Sequence, residues 1–217
     1  MPGTVIDDIE IIDAGRGGGT GTPAGGDDDS GSSGGRRPVP RRAYFTALQL
    51  GLAAIVMFFM ALASSYIVRK GLGNDWQRTP MPQVVWFNTA ILLASSATII
   101  FARRKLETGD RVAFRSWWWL TTGLGVLFLG GQIIAWRQLA AAGMLLATNP
   151  SSSFFYLLTA AHGVHLAGGI LALFYVAFRQ WKRSRISQAT AAELTAIYWH
   201  FMDGLWVFLL VLLTLGR

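Results

Sequence analysis

The sequence predicts an all-α integral membrane bundle of five transmembrane helices behind a disordered N-terminal tail. Three observations carry this. Of the 217 residues, 52% are hydrophobic and only 14% are charged, against about 25% charged in an ordinary soluble domain. Five apolar runs follow one another at roughly 43–69, 83–103, 115–138, 153–179 and 191–215. Each can cross a hydrocarbon core of about 30 Å, which takes about 20 helical residues. Strands of a membrane barrel would be shorter and alternating.

The domain reading is a flexible tail over 1–42 and a membrane domain over 43–217. Gly15–Gly35 is almost entirely Gly, Ser, Thr, Pro and Asp, too polar to bury a core. Acidic residues come early and no apolar core follows Met1, so the segment is not a signal peptide. Within it, residues 5–15 interleave Val5, Ile6, Ile9, Ile11 and Ile12 with acids. They read either as a disordered end or as a short motif that docks on a partner subunit.

Helix 1 follows Arg36, Arg37, Arg41 and Arg42. The loop from Gly71 to Pro82 holds Gly, Asn, Asp and two Pro, a true break before helix 2. Arg103, Arg104, Lys105, Arg111 and Arg115 lie between helices 2 and 3. Trp117, Trp118 and Trp119 near the start of helix 3 read as an interfacial aromatic belt touching lipid or a partner. Gly143 and Asn149–Pro150 suggest a short connection, with Pro150 and Ser151–Ser153 opening helix 4. Arg179, Lys182, Arg183 and Arg185 separate helices 4 and 5, whereas the opposite side carries only Arg69, Lys70, Arg78, Arg137 and Arg217. By the positive-inside rule the N-terminus is cytoplasmic and the C-terminus external. This charge excess reflects anionic headgroups and orientation rather than nucleic acid.

Ionisable groups inside a bilayer are costly and point to pairing or function. His162 and His165 share a face of helix 4, and His200 and Asp203 share one of helix 5. Since the two helices run in opposite directions, the pairs can meet at similar depth. Glu193, Gln132 and Asn88 complete a candidate buried polar network. A hydrogen-bond network that fixes helix packing is the preferred reading, ahead of a metal site or a proton relay. Gly123, Gly125, Gly130 and Gly131 of helix 3, with Gly163, Gly168 and Gly169 of helix 4, allow close backbone approach.

What is missing narrows the chemistry. Cys is absent, which removes thiolate nucleophiles, Fe–S clusters and Cys-built metal sites. Three His are too few for a haem–copper centre or a di-iron membrane site, and there is no phosphate loop or nucleophile elbow. No catalytic, cofactor-binding or metal residue is assigned to the chain.

The last third carries the family signal. Phe154–Gly169, FFYLLTAAHGVHLAGG, resembles the helix of haem–copper oxidase subunit III that bears a Gly-x-His-Gly-x-His element, with Ala161 at the glycine-type position. Tyr198–Leu210, YWHFMDGLWVFLL, is similar to the final helix of that family, and Glu193 stands where many members have an acid. Phe87–Ile99 and the Gly109-Asp110-Arg111 loop support the match. The resemblance implies a five-helix bacterial form of a non-catalytic subunit, of a cytochrome c oxidase or quinol oxidase. Its implied partners are subunit I above all, subunit II, small subunits and structural phospholipids. Haem and copper are implied in those partners, and the implied role is support of proton uptake and stability in the inner (plasma) membrane. Trp199, Arg103 and Arg104 join the three tryptophans as expected lipid or interface contacts. Departures stand beside this: Ile55 and Ala135 replace two familiar carboxylates, and Arg103–Arg104 replace a His pair. An accessory subunit of a nitric oxide reductase system and, from another class, a small proton-coupled transporter are the alternatives.

Overall fold

The computed structural model describes residues 40–72, 82–144, 149–178 and 187–215. Five helices account for nearly all of them: α1 (Arg41–Leu72), α2 (Gln83–Glu107), α3 (Arg111–Ala141), α4 (Pro150–Phe178) and α5 (Gln188–Leu215). All five are long and apolar enough to cross a membrane. The tail, with the segment 5–15, lies outside the described residues, as do most of the Gly71–Pro82 loop and residues 179–186.

Helix ends follow local chemistry, and it is there that the structure extends the expected spans. Gly109, at φ 79°, ends α2. Its N–H reaches the Leu106 carbonyl and the Asp110 N–H reaches Lys105, the paired bonds of a left-handed glycine cap. Asp110 then opens α3, its Oδ1 accepting from the Ala113 N–H at 3.0 Å. One glycine and one aspartate thus convert a stop into a start, so α3 begins four residues before the apolar run. Gly143, at φ 78°, repeats the glycine cap after α3. Asn149 caps α4, accepting from the Ser152 N–H at 2.9 Å. Pro150 takes the first helical position, where no donor is needed.

Helices α2, α3, α4 and α5 form a closed ring, each packing on the next and α5 returning to α2. Helix α1 lies outside the ring against α4 and α5. It buries only Phe59, Ala63 and Tyr66, one stripe of its surface. An Arg41–Glu193 ion pair joins the start of α1 to the second turn of α5. At the far ends Lys70 Nζ donates to the Leu215 carbonyl at 3.4 Å. The two helices therefore run parallel, as first and fifth spans must.

Four tryptophans stitch the ring. Trp199 and Trp206 of α5 donate to Ser95 Oγ and Thr89 Oγ1 of α2, both at 3.0 Å. Trp136 of α3 donates to Thr159 Oγ1 of α4 at 3.1 Å. Each accepting hydroxyl spends its own proton on a carbonyl of its own helix: Leu92, Val85 and Phe155 respectively. A hydroxyl offers one donor and two lone pairs, so it satisfies its helix and its neighbour together. Trp118 instead donates to the Leu173 carbonyl at 2.9 Å.

This corrects the expectation of a lipid or interface contact for two residues. Trp118 and Trp199 are core side chains, 1% and 0% exposed, because an indole N–H that reaches a partner costs nothing in a dry interior. Trp117 and Trp119 are half-buried, against Phe101 and against Phe174 and Phe178.

Candidate functional site: the polar layer of the bundle

The sequence marks seven polar residues as one network, and the structure divides them into three sets. The first is deep. Asn88, Gln132, His162 and Asp203 are buried, from α2, α3, α4 and α5 in turn. The Asn88 side chain fills the space above Gly131 and donates to the Phe128 carbonyl at 3.4 Å. The His162 ring lies against Trp206, with centroids 5.1 Å apart, and edge-on to Phe128 at 6.2 Å. The side-chain polar atoms of Gln132, His162 and Asp203 meet no hydrogen-bond partner among the described residues. Buried polar groups are nearly always bonded, so these three mark the part of the chain that sequence and packing alone explain least.

The second set lies at the rim of the ring. His200 is half-buried, its Nδ1 2.7 Å from Ser96 Oγ of α2. His165 is half-buried between α4 and α1, its ring 5.6 Å from that of Phe59. Its Nδ1 lies 2.8 Å from the Ala161 carbonyl. A carbonyl only accepts, so Nδ1 carries the proton there. Tyr198 OH donates to the His165 carbonyl at 2.8 Å.

The third set is at the end of the bundle. Glu193 pairs with Arg41 and belongs to the boundary rather than the interior. Arg103 lines a cavity beside it, and Arg104 is exposed on the last turn of α2.

On α4, His162 lies beside Trp206 and His165 beside Tyr198, residues that flank the His200–Asp203 pair of α5. Yet the pairs do not bond each other: His165 and His200 bond to other residues, and His162 and Asp203 meet no hydrogen-bond partner among the described residues. No group of three or more His, Asp or Glu side chains is placed to hold a metal ion among the described residues. What the arrangement does is join helices. Ser96, Ser95, Thr89, Tyr198 and Trp206 carry that work; Tyr198 and Trp206 stand in the final-helix motif, but the three small hydroxyls were not singled out in the sequence, where in an apolar run they look like any helix filler. Removing one such bond is a modest event. Ser96→Ala is expected to lower stability by about 0.6–1 kcal/mol, a typical intramembrane hydrogen bond, read as a small shift in the detergent unfolding midpoint.

Comparison with known proteins gives the layer its context. The family profile described as Cytochrome c oxidase subunit III matches residues 45–215, which takes in nearly all of the five helices. The cytochrome c oxidase subunit 3 of Thermostichus vulcanus is 32% identical over 162 residues, covering 72% of this chain and 79% of the relative. The probable cytochrome c oxidase subunit 3 of Nocardia farcinica is 33% identical over the same length and shares. That of Corynebacterium diphtheriae is 34% identical over 170 residues, covering 74% and 82%. On a match of this extent, the chain belongs to the cytochrome c oxidase subunit III family.

Proposed function

We propose that this chain is the non-catalytic subunit III of a bacterial respiratory haem–copper oxidase, a cytochrome c oxidase. The observation that carries the reading is the family match from Phe45 to Leu215, running from the first turns of α1 to the end of α5. In this reading the chain packs on subunit I, which holds the haems and copper, with subunit II and small subunits alongside. Its own contribution is mechanical and solvational: a rigid membrane bundle that supports proton uptake, steadies the catalytic subunit and holds phospholipid. Relatives that carry the subunit 3 name favour this over the nitric oxide reductase and transporter readings. The loop charges support an orientation with the N-terminus cytoplasmic and the C-terminus external. The segment 5–15, apolar and acidic by turns, suits a short docking motif for a neighbouring subunit.

The direct test is purification of the full-length chain from its native membrane through a small C-terminal tag. A haem-containing subunit I, seen by its absorption spectrum and by mass spectrometry, is expected to accompany it in fixed ratio. A preparation that holds this chain without any haem-copper subunit would overturn the proposal.

A further inference from the structure

The centre of the ring holds three side chains whose hydrogen-bonding needs its packing does not meet. Gln132 of α3, His162 of α4 and Asp203 of α5 are 3%, 0% and 4% exposed. Both polar side-chain atoms of each, six in all, meet no hydrogen-bond partner among the described residues. The three come from different helices but gather around one of their number. The His162 ring contacts Phe128 of α3 and Trp206 of α5. Gln132 follows Phe128 by four residues and Asp203 precedes Trp206 by three, so each shares a helix face with a ring that touches His162.

Spacing decides what can join them. Gln132 stands about 6 Å along its helix from Phe128, and Asp203 about 4.5 Å along its own from Trp206. The third and fifth spans run in the same direction, so these steps lead away from His162 on opposite sides. A direct hydrogen bond needs heavy atoms about 2.7–3.2 Å apart. A single water that bridges two groups spans about 5–6 Å, the length of two such bonds. The steps from His162 to its two neighbours are of the second kind.

Chemistry selects the ligand. An amide offers donors and an acceptor, a neutral imidazole one of each, and a carboxylate acceptors alone. A metal ion would answer only the acceptors, and no group of three or more His, Asp or Glu is placed to hold one among the described residues. Water both donates and accepts, so it can face all three side chains. A buried water makes about three bonds to groups that otherwise lack them, so six atoms call for about two waters. The wall is small where they would sit, since Gly131 and Ala135 are the buried neighbours of Gln132 on α3. We propose that the middle of the ring binds a cluster of about two ordered waters, one joining Asp203 to His162 and one joining His162 to Gln132. Trp199, bonded to Ser95, closes the cluster on one side, and Trp136, bonded to Thr159, on the other. The helices α3, α4 and α5 are thereby tied through water at the point where no direct side-chain bond ties them. This rests on the fold of the ring and not on which complex the chain joins.

The test uses the full-length chain with whatever subunits accompany it, in mild detergent. A short X-ray pulse splits water into hydroxyl radicals, which oxidise the side chains beside that water, buried or not. Peptide mass spectrometry then gives an oxidation rate for each residue. Trp206 and Trp118 are matched: both are buried and both indole N–H groups are bonded, but Trp206 borders His162. Phe128 and Phe114 form a second buried pair, of which Phe128 borders His162. Trp206 and Phe128 are expected to be oxidised several-fold faster than Trp118 and Phe114. His162→Phe, which puts an apolar ring in the same place, is expected to bring Trp206 down to the rate of Trp118. Gln132→Leu is expected to slow Phe128. Equal rates within both wild-type pairs overturn the proposal, and so do ratios left unchanged by both variants. If a variant loses helical content, the wild-type pairs still decide. Absence of a haem-copper subunit from the preparation bears on the proposed function alone.

Discussion

Trp199→Ala is expected to cost the bundle about 2–3 kcal/mol, while Trp86→Ala changes its stability by less than about 0.5 kcal/mol. Trp199 is 0% exposed and Trp86 is 54% exposed. The central indole touches every other helix of the ring. It bonds Ser95 of α2, lies over Gly125 of α3 and rests on Gly169 of α4. Truncating a buried aromatic in a soluble core costs about 3–5 kcal/mol, part of it lost transfer from water and part the cavity left behind. In a membrane the transfer part is weak, because lipid tails are as apolar as the protein interior. The cavity part remains whole, since four helices cannot collapse onto one missing ring. Trp199→Phe keeps most of the volume and gives up one N–H bond, so about 0.6–1.5 kcal/mol is expected. Unfolding of the purified chain in mixed detergent micelles, followed by circular dichroism, would measure all three. Equal losses for Trp199→Ala and Trp86→Ala would mean that the indole does not anchor the ring.

The same residue shows where sequence reading stops. Hydropathy identifies five helices because each must satisfy its backbone internally and be apolar for a full bilayer thickness. Their ends are legible where chemistry is local, as at Gly109 and Asp110, whose bonding partners all lie within about one and a half helical turns along the chain. The polar residues of the site are legible too, since His162 and Asp203 stand out in apolar runs. Their partners are not. Arg41 and Glu193 are 152 residues apart, and Ser96 and His200 are 104 apart. Nothing in either segment says that these helices lie side by side. The tryptophan run makes the same point at shorter range. Trp117, Trp118 and Trp119 look alike in composition, yet successive residues turn by about 100° on a helix. Only the middle one faces Leu173 and enters the core.

That rotation sets the second large effect, at glycines the sequence treats alike. Gly131→Ala and Gly125→Ala are each expected to cost about 1–3 kcal/mol, the usual range for forced overpacking. Gly130→Ala and Gly123→Ala are expected to be neutral or to stabilise by up to about 1 kcal/mol, as alanine restricts the unfolded chain and favours helix. The difference is what a Cβ would meet. At Gly131 it would run into Asn88 Oδ1, and at Gly125 it would stand 2.6 Å from the Trp199 ring. At Gly130 and Gly123 it meets nothing within 4 Å. Asn88 can turn aside, at the loss of its bond to the Phe128 carbonyl. Trp199 has no such freedom, being held by Ser95 on one side and packed on Gly169 on the other. Gly125→Ala should therefore be the worse of the two, and a Gly125→Ala, Trp199→Phe double variant should recover part of the loss. Unfolding midpoints for the four single variants and the double would decide it. If neighbouring glycines gave equal losses, glycine would be acting through helix flexibility, and the close packing of α2 on α3 and of α5 across the ring would not be what these residues are for.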